Sequence, residues 1–218
     1  MKLAECQRKL FEEFSQIIRE NRLSHAYLFS GDFGSLDMAI WLAQSRFCLT
    51  PEDGLPCSHC RPCRLIAQGD FSDVKLVEPQ GQIIKTDIIR QLTREFSQSS
   101  FEGHAQVFII RDADKMHVNA ANSLLKFIEE PQSQIYIFLL TADDSRILPT
   151  IKSRAQLFYF PKNKAYLEDL LQREGLLLTQ AKVLADFAKD ETQALSLSKD
   201  KKVLDVIDIV AVSYTHLT

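Results

Sequence analysis

An α/β fold, with a parallel sheet covered on both faces and a small all-helical domain after it, is what this sequence predicts. Three observations carry the prediction. Short apolar runs alternate with amphipathic helical patterns as far as Pro161, strand patterns vanish from Asn163 onward, and 218 residues with 45% hydrophobic content suffice for one core or two modest ones. The balance of 26 Lys+Arg against 29 Asp+Glu, a net charge of -3, excludes a broad positive field and with it autonomous wrapping of nucleic acid. No run of about eighteen apolar residues occurs, and the opening MKLAECQRKLFEEF mixes charge into its apolar positions. Neither a membrane span nor a signal peptide is therefore expected, and the cytosol is the expected compartment.

Taken in order, residues 3–20 place Leu10, Phe11, Phe14, Ile17 and Ile18 three and four apart, which predicts one amphipathic helix. Residues 25–31 (HAYLFSG) form a short apolar run ending in glycine, a buried strand feeding a turn, and 38–48 follow as a helix. A strand is expected over 73–79, then a helix over 86–98 with Ile88, Ile89, Leu92 and Phe96 on one face. Strands at 107–110, 135–141 and 156–160 alternate with a helix over 119–130 that Pro131 stops. The remainder reads as helices around Leu167, Leu170, Leu171, Val183, Leu184 and Phe187, with a last one over 201–210. The expected organisation is one α/β domain over 1–161 carrying a cysteine module at 48–63, a helical domain over 162–211, and a non-native tail over 212–218.

Four of the 5 cysteines, Cys48, Cys57, Cys60 and Cys63, have the spacing C-x8-C-x2-C-x2-C. Clustered thiols in a reducing compartment point to metal rather than disulfides. Four thiolates close a tetrahedron around zinc and leave no position for water, so the expected cofactor is one structural zinc ion. The competing readings are free thiols and a zinc module that binds DNA, the latter served only by Arg61 and Arg64. His59 is expected to face solvent, and Cys6 to be a small buried hydrophobe.

After the first strand, 31–38 (GDFGSLDM) stands where a phosphate loop would run G-x-x-x-x-G-K-[ST]. Gly31 and Gly34 remain, but Leu36 replaces the second signature glycine, Asp37 the lysine, and Met38 the magnesium-binding hydroxyl. A unit charge about 4 Å from a phosphate oxygen is worth roughly 4 kcal/mol at an effective dielectric near 20. Exchanging a cation for an anion there makes nucleotide binding weak or absent, although two glycines alone leave open that this was never such a loop. The third strand ends in Arg111-Asp112-Ala113-Asp114, the form of a Walker B segment with Arg111 where an acid would hold magnesium. A plain charge cluster at a strand end is the alternative for Asp112 and Asp114.

The runs 25–31 (HAYLFSG), 111–116 (RDADKM) and 122–131 (NSLLKFIEEP), the four cysteines and the Ser153-Arg154 pair together resemble the AAA+ clamp-loader family of the bacterial DNA polymerase III. The resemblance implies a RecA-like AAA+ domain and a helical lid, with a C-terminal collar domain that this chain ends before. It implies a stator that binds no ATP and sits in a ring with ATP-binding subunits and a delta subunit. Through that ring it would act on the sliding clamp and primer-template DNA as an accessory subunit of the polymerase rather than as an enzyme itself. It further implies that Ser153 and Arg154 present an arginine finger to a neighbour's ATP, Ala155 replacing the family's usual cysteine. A planar, permanently charged guanidinium suits that task, whereas a surface ion pair is the plain alternative for Arg154. Thr141 stands where a γ-phosphate sensor would be and is read as a hydrogen-bonded strand end. Lys126, Glu129 and Glu130 form either a solvated face or part of a subunit interface. An active ATPase with unorthodox motifs and a zinc-dependent DNA-binding module remain the rival functions.

Overall fold

The computed structural model describes residues 3–79, 81–99, 105–129 and 134–215. Glu130 and Pro131, and the side chains of Phe96 and Lys126, lie outside the described residues. The chain runs α1 (Leu3–Cys6), α2 (Arg8–Arg19), β1 (Ala26–Ser30), α3 (Ser35–Phe47), α4 (Arg61–Gln68), β2 (Val74–Val77), α5 (Thr86–Ser99) and β3 (Gln106–Ile110). It continues through α6 (Val118–Glu129), β4 (Ile135–Thr141), α7 (Pro149–Lys152) and β5 (Gln156–Tyr159) to α8 (Lys164–Arg173), α9 (Leu178–Phe187), α10 (Glu191–Ser198) and α11 (Lys201–Thr215).

The five strands form one parallel sheet in the order β2-β3-β4-β1-β5. The period-2 alternation of its central strands builds two cores. Leu28, Phe108, Ile110, Ile137 and Leu139 face Ile89 of α5 and Leu124 and Ile128 of α6. Tyr27, Phe29, Ile109, Phe138 and Leu140 face Phe14 of α2, Leu42 of α3 and Ile66 of α4. Burial on both sides explains why these strands are apolar at nearly every position. A third core joins α8 to α11 and takes in Cys6 and Phe33 from the first part of the chain.

Helix α4 was not expected, the strand expected over 73–79 shortens to Val74–Val77, and three further differences bear on the site. The helix predicted over 3–20 breaks at Gln7, whose backbone leaves the helical region at φ -133 and ψ 53. Its buried side chain donates to the carbonyls of Phe33 at 2.7 Å and Pro161 at 2.8 Å, so the break positions a clamp between two distant loops. Helix α3 starts at Ser35 instead of Met38, with Gly34 at φ 80 as its N-cap. Helix α11 continues past 210 to Thr215, through most of the expected tail.

Candidate functional site

The cysteine module brings its four thiols together. The Sγ atoms of Cys48, Cys57, Cys60 and Cys63 lie within 4.8 Å of one another, and Cys60 to Cys48 is 4.0 Å. Zinc at about 2.3 Å from each sulfur needs edges of roughly 3.8 Å, so the donor set fits a tetrahedral ion. Positive φ at Asp53, Gly54 and Ser58 folds the loop, and Cys60 caps α4, whose second residue is Pro62. Backbone N–H groups of Cys57 and Cys60 donate to Cys48 and Cys57 sulfurs at 3.3 Å each, and the Thr50 hydroxyl donates to Cys57. That hydroxyl heads the influences that lower the Cys57 thiol to about 6, while burial raises Cys63. A bound metal would cross-link the loop to α3 and α4 and supply folding energy, not a reacting site. His59 is exposed, its Nδ1 2.8 Å from the Cys57 carbonyl. Cys6 is buried, which pushes its thiol up to about 12.

At the carboxyl ends of the strands, where ligands of open α/β sheets bind, lies a cavity of about 130 Å³ lined by Asp32, Ser35, Leu36, Arg111, Asp112, Leu140, Lys189 and Asp190. Gly31 is needed here for packing: a Cβ on it would fall 2.2 Å from the Phe160 carbonyl oxygen. Leu36 faces the cavity, but Asp37 does not. Helix α3 starts early enough that Asp37 falls on the face of Ile40, Trp41 and Gln44, along a separate groove against α1 and α2. Met38 is fully buried in the core beneath. The acid expected of Asp37 is supplied instead by Asp32, whose carboxyl is pushed up by burial and then by Asp112. No alignment to a motif signals this, because Asp32 occupies a variable position of it.

The cations and acids around this cavity are largely spoken for by one another. Arg111 projects from the end of β3 to Glu78 at 2.6 Å, and Asp112, at φ 50, pairs with Lys115 at 3.1 Å. Asp114 is buried, paired with Arg146 at 3.1 Å, and accepts from Thr141 Oγ1 at 2.9 Å. Thr141 is itself 1% exposed, a hydrogen-bonded strand end. Ser30 donates to Asp144, which Lys152 holds at 2.7 Å and thereby keeps below the usual carboxylate range.

Arg154 stands elsewhere. It stands in the turn before β5, which registers Gln156 against Tyr27, so Arg154 lies toward the amino-terminal edge of the sheet. The four steps along the chain from Tyr27 to Gly31 span about 13 Å at a rise near 3.3 Å, more than an arginine side chain reaches. Its Nε is 2.6 Å from Glu129 Oε1 at the end of α6, and its Nη1 donates to the Thr150 carbonyl and the Ser153 hydroxyl. The ion pair read as the plain alternative for Arg154 is thus present, and Ser153 supports the same guanidinium. Glu129 was read only as one charge among three on its helix.

A family profile described as "DNA polymerase III, delta subunit" matches residues 6–164. The chain is 41% identical over 200 residues to DNA polymerase III subunit delta' of Bacillus subtilis, covering 90% of this chain and 60% of that protein. It is 32% identical to the Escherichia coli subunit delta', covering 80% of this chain and 54% of that one. The chain thus spans little more than half the length of these relatives. Among solved structures, it is similar to a DNA polymerase III gamma subunit-related protein of Thermotoga maritima (TM-score 0.53, 24% identity, 86% of this chain and 57% of that one). It is also similar to the RuvB Holliday junction branch migration motor of the same organism (TM-score 0.57, 13% identity, 94% and 64%). These likenesses show the AAA+ fold. With the profile covering most of its length, the chain belongs to the DNA polymerase III delta-subunit family, and within it sides with the delta' subunits.

Proposed function

We propose that this chain is the ATP-inert stator of a DNA polymerase III clamp loader. It sits in a ring with ATP-binding subunits and a delta subunit, and lends Arg154 to the ATP of a neighbour while the assembly loads a sliding clamp on primer-template DNA. The observation that carries the reading is the separation of anion chemistry from the chain's own cavity. At the strand ends, Asp32, Asp112 and Asp190 outnumber Arg111 and Lys189, and Leu36 contributes no donor. Arg154 lies at the other edge, where only a second subunit can bring it a phosphate.

In this reading residues 1–161 form the AAA+ domain, 162–211 the lid, and the four cysteines hold a structural zinc ion. The whole acts in the cytoplasm, and among the described residues no helix is long and apolar enough to cross a membrane. Arg154 would meet the γ-phosphate of the adjacent nucleotide and stabilise the charge of the transition state, with Ser153 and the Thr150 carbonyl holding the guanidinium from behind. The isolated chain would then hydrolyse nothing.

Titration of the purified chain with ATP and magnesium, followed by calorimetry, tests the inert half. No saturable binding in the micromolar range is expected. Magnesium-dependent micromolar binding would return the chain to the active ATPases.

A further inference from the structure

Among the described residues, two of the three guanidinium nitrogens of Arg154 have partners. Glu129 takes the Nε side at 2.6 Å, and Thr150 and Ser153 take Nη1 at 2.9 and 3.1 Å. Nη2 has no partner among the described residues. The side chains of Arg154 and Glu129 are 39% and 46% exposed, and an ion pair this open adds little to stability. Its geometric effect is larger. An arginine has many rotamers, and without an anchor most of them aim the fork away from any one target.

We infer that Glu129 is the positioning residue of the Arg154 finger. Its carboxylate fixes the Nε flank, the turn at Thr150 fixes Nη1, and Nη2, without a partner among the described residues, is left to take a phosphate oxygen. Because Glu129 sits at Nε rather than across the Nη pair, the phosphate arrives without displacing it. This role rests on the finger reading above and extends it to a residue on a different helix, brought to the same corner by the packing of α6 on α7.

Steady-state ATP hydrolysis by the reconstituted clamp-loader assembly, carrying variants of the full-length subunit, tests the assignment. Misplacing a catalytic group by about 1 Å costs on the order of 100-fold, so Glu129→Ala is expected to lower kcat by about 10- to 100-fold while KM for ATP moves less than about twofold. Glu129→Gln keeps an acceptor oxygen at the same reach and should recover most of that loss, which a merely structural role would not produce. In the Arg154→Ala background, Glu129→Ala should cost nothing further. Unchanged or faster turnover in Glu129→Ala with slow turnover in Arg154→Ala overturns the positioning role and leaves the finger standing. An additional loss in the double variant also overturns it. If both single variants turn over at the wild-type rate, the finger reading fails first. Unaltered metal content and circular dichroism establish that each variant folds.

Discussion

The two ends of the sheet have been treated oppositely. At the carboxyl end, charges at and beside the cavity are paired within the chain: Arg111 with Glu78, Asp112 with Lys115, Asp114 with Arg146 and Thr141. At the amino end, the Arg154 guanidinium has partners on Nε and Nη1 but, among the described residues, none on Nη2. On the stator reading, the first arrangement spends its charges on one another, whereas the second leaves a guanidinium nitrogen available. If the chain is inert towards ATP as proposed, that inertness is a distributed property which one lysine would not reverse: Lys at position 37 would sit in the groove beside Trp41, away from the cavity.

The strongest way to break this contrast is to remove the free guanidinium. Arg154→Ala should leave the fold and metal content of the subunit intact and slow ATP turnover by the assembly by on the order of 10³-fold or more at the site it serves. An unaltered assembly rate would make Arg154 one more internally satisfied charge, like those at the other edge.

Next in size is the cysteine module, which braces the cavity side. Gln44 of α3 donates to the Cys63 carbonyl at 2.8 Å, and α3 begins at the retired loop. Cys60→Ser, or removal of metal by a chelator, should cost several kcal/mol of stability. Hydrogen exchange should show the loss concentrated in 48–68 and α3, with the turn before Arg154 still protected. A uniform loss would mean that the two edges are one cooperative unit.

The fold was largely legible because its signal is periodic. The apolar runs that became β1, β3 and β4 are buried on both faces, and the C-x8-C-x2-C-x2-C spacing foretold thiols that do gather. What escaped depends on phase rather than pattern. Leu36 and Asp37 are adjacent in any alignment, yet about 100° of helix rotation separates them, and an earlier helix start sends one to the cavity and the other away. Glu129 and Arg154 meet across 25 positions, which no local rule relates. Gln7 did leave a trace: it falls on the buried stripe of Leu3, Leu10 and Phe14, a polar residue where the pattern calls for an apolar one.

That residue supplies the third test. Gln7 gives its two amide hydrogens to Phe33, in the loop between β1 and α3, and to Pro161, ahead of the C-terminal helices, and Asn163 reinforces the joint by donating to the Cys6 carbonyl at 2.9 Å. Phe33 itself is buried in the lid core. Gln7→Ala leaves the buried Phe33 carbonyl without its donor and should cost about 1–3 kcal/mol by denaturant unfolding. If the loop is bolted to the lid in this way, the same variant should raise protease sensitivity near 31–34 and at 161–163 together. Loosening at only one of the two would show that the clamp joins nothing.

The smallest effect is the most specific to the retired cavity. Burial, and then Asp112, raise the Asp32 carboxyl, so its charged form is disfavoured in the folded chain. For an acid with a raised pKa, the penalty is absent below the unfolded value near 3.9, grows as pH rises toward the folded value, and is fully present above it. Asp32→Asn should therefore stabilise at pH 7 and make no difference at about pH 3. Asp32 is an exposed residue, so solvent screens the repulsion and the gain should not exceed a few tenths of a kcal/mol. Paired denaturant curves at the two pH values resolve it as a difference of differences. A stability gain that persists unchanged at low pH would trace to something other than the charge of Asp32.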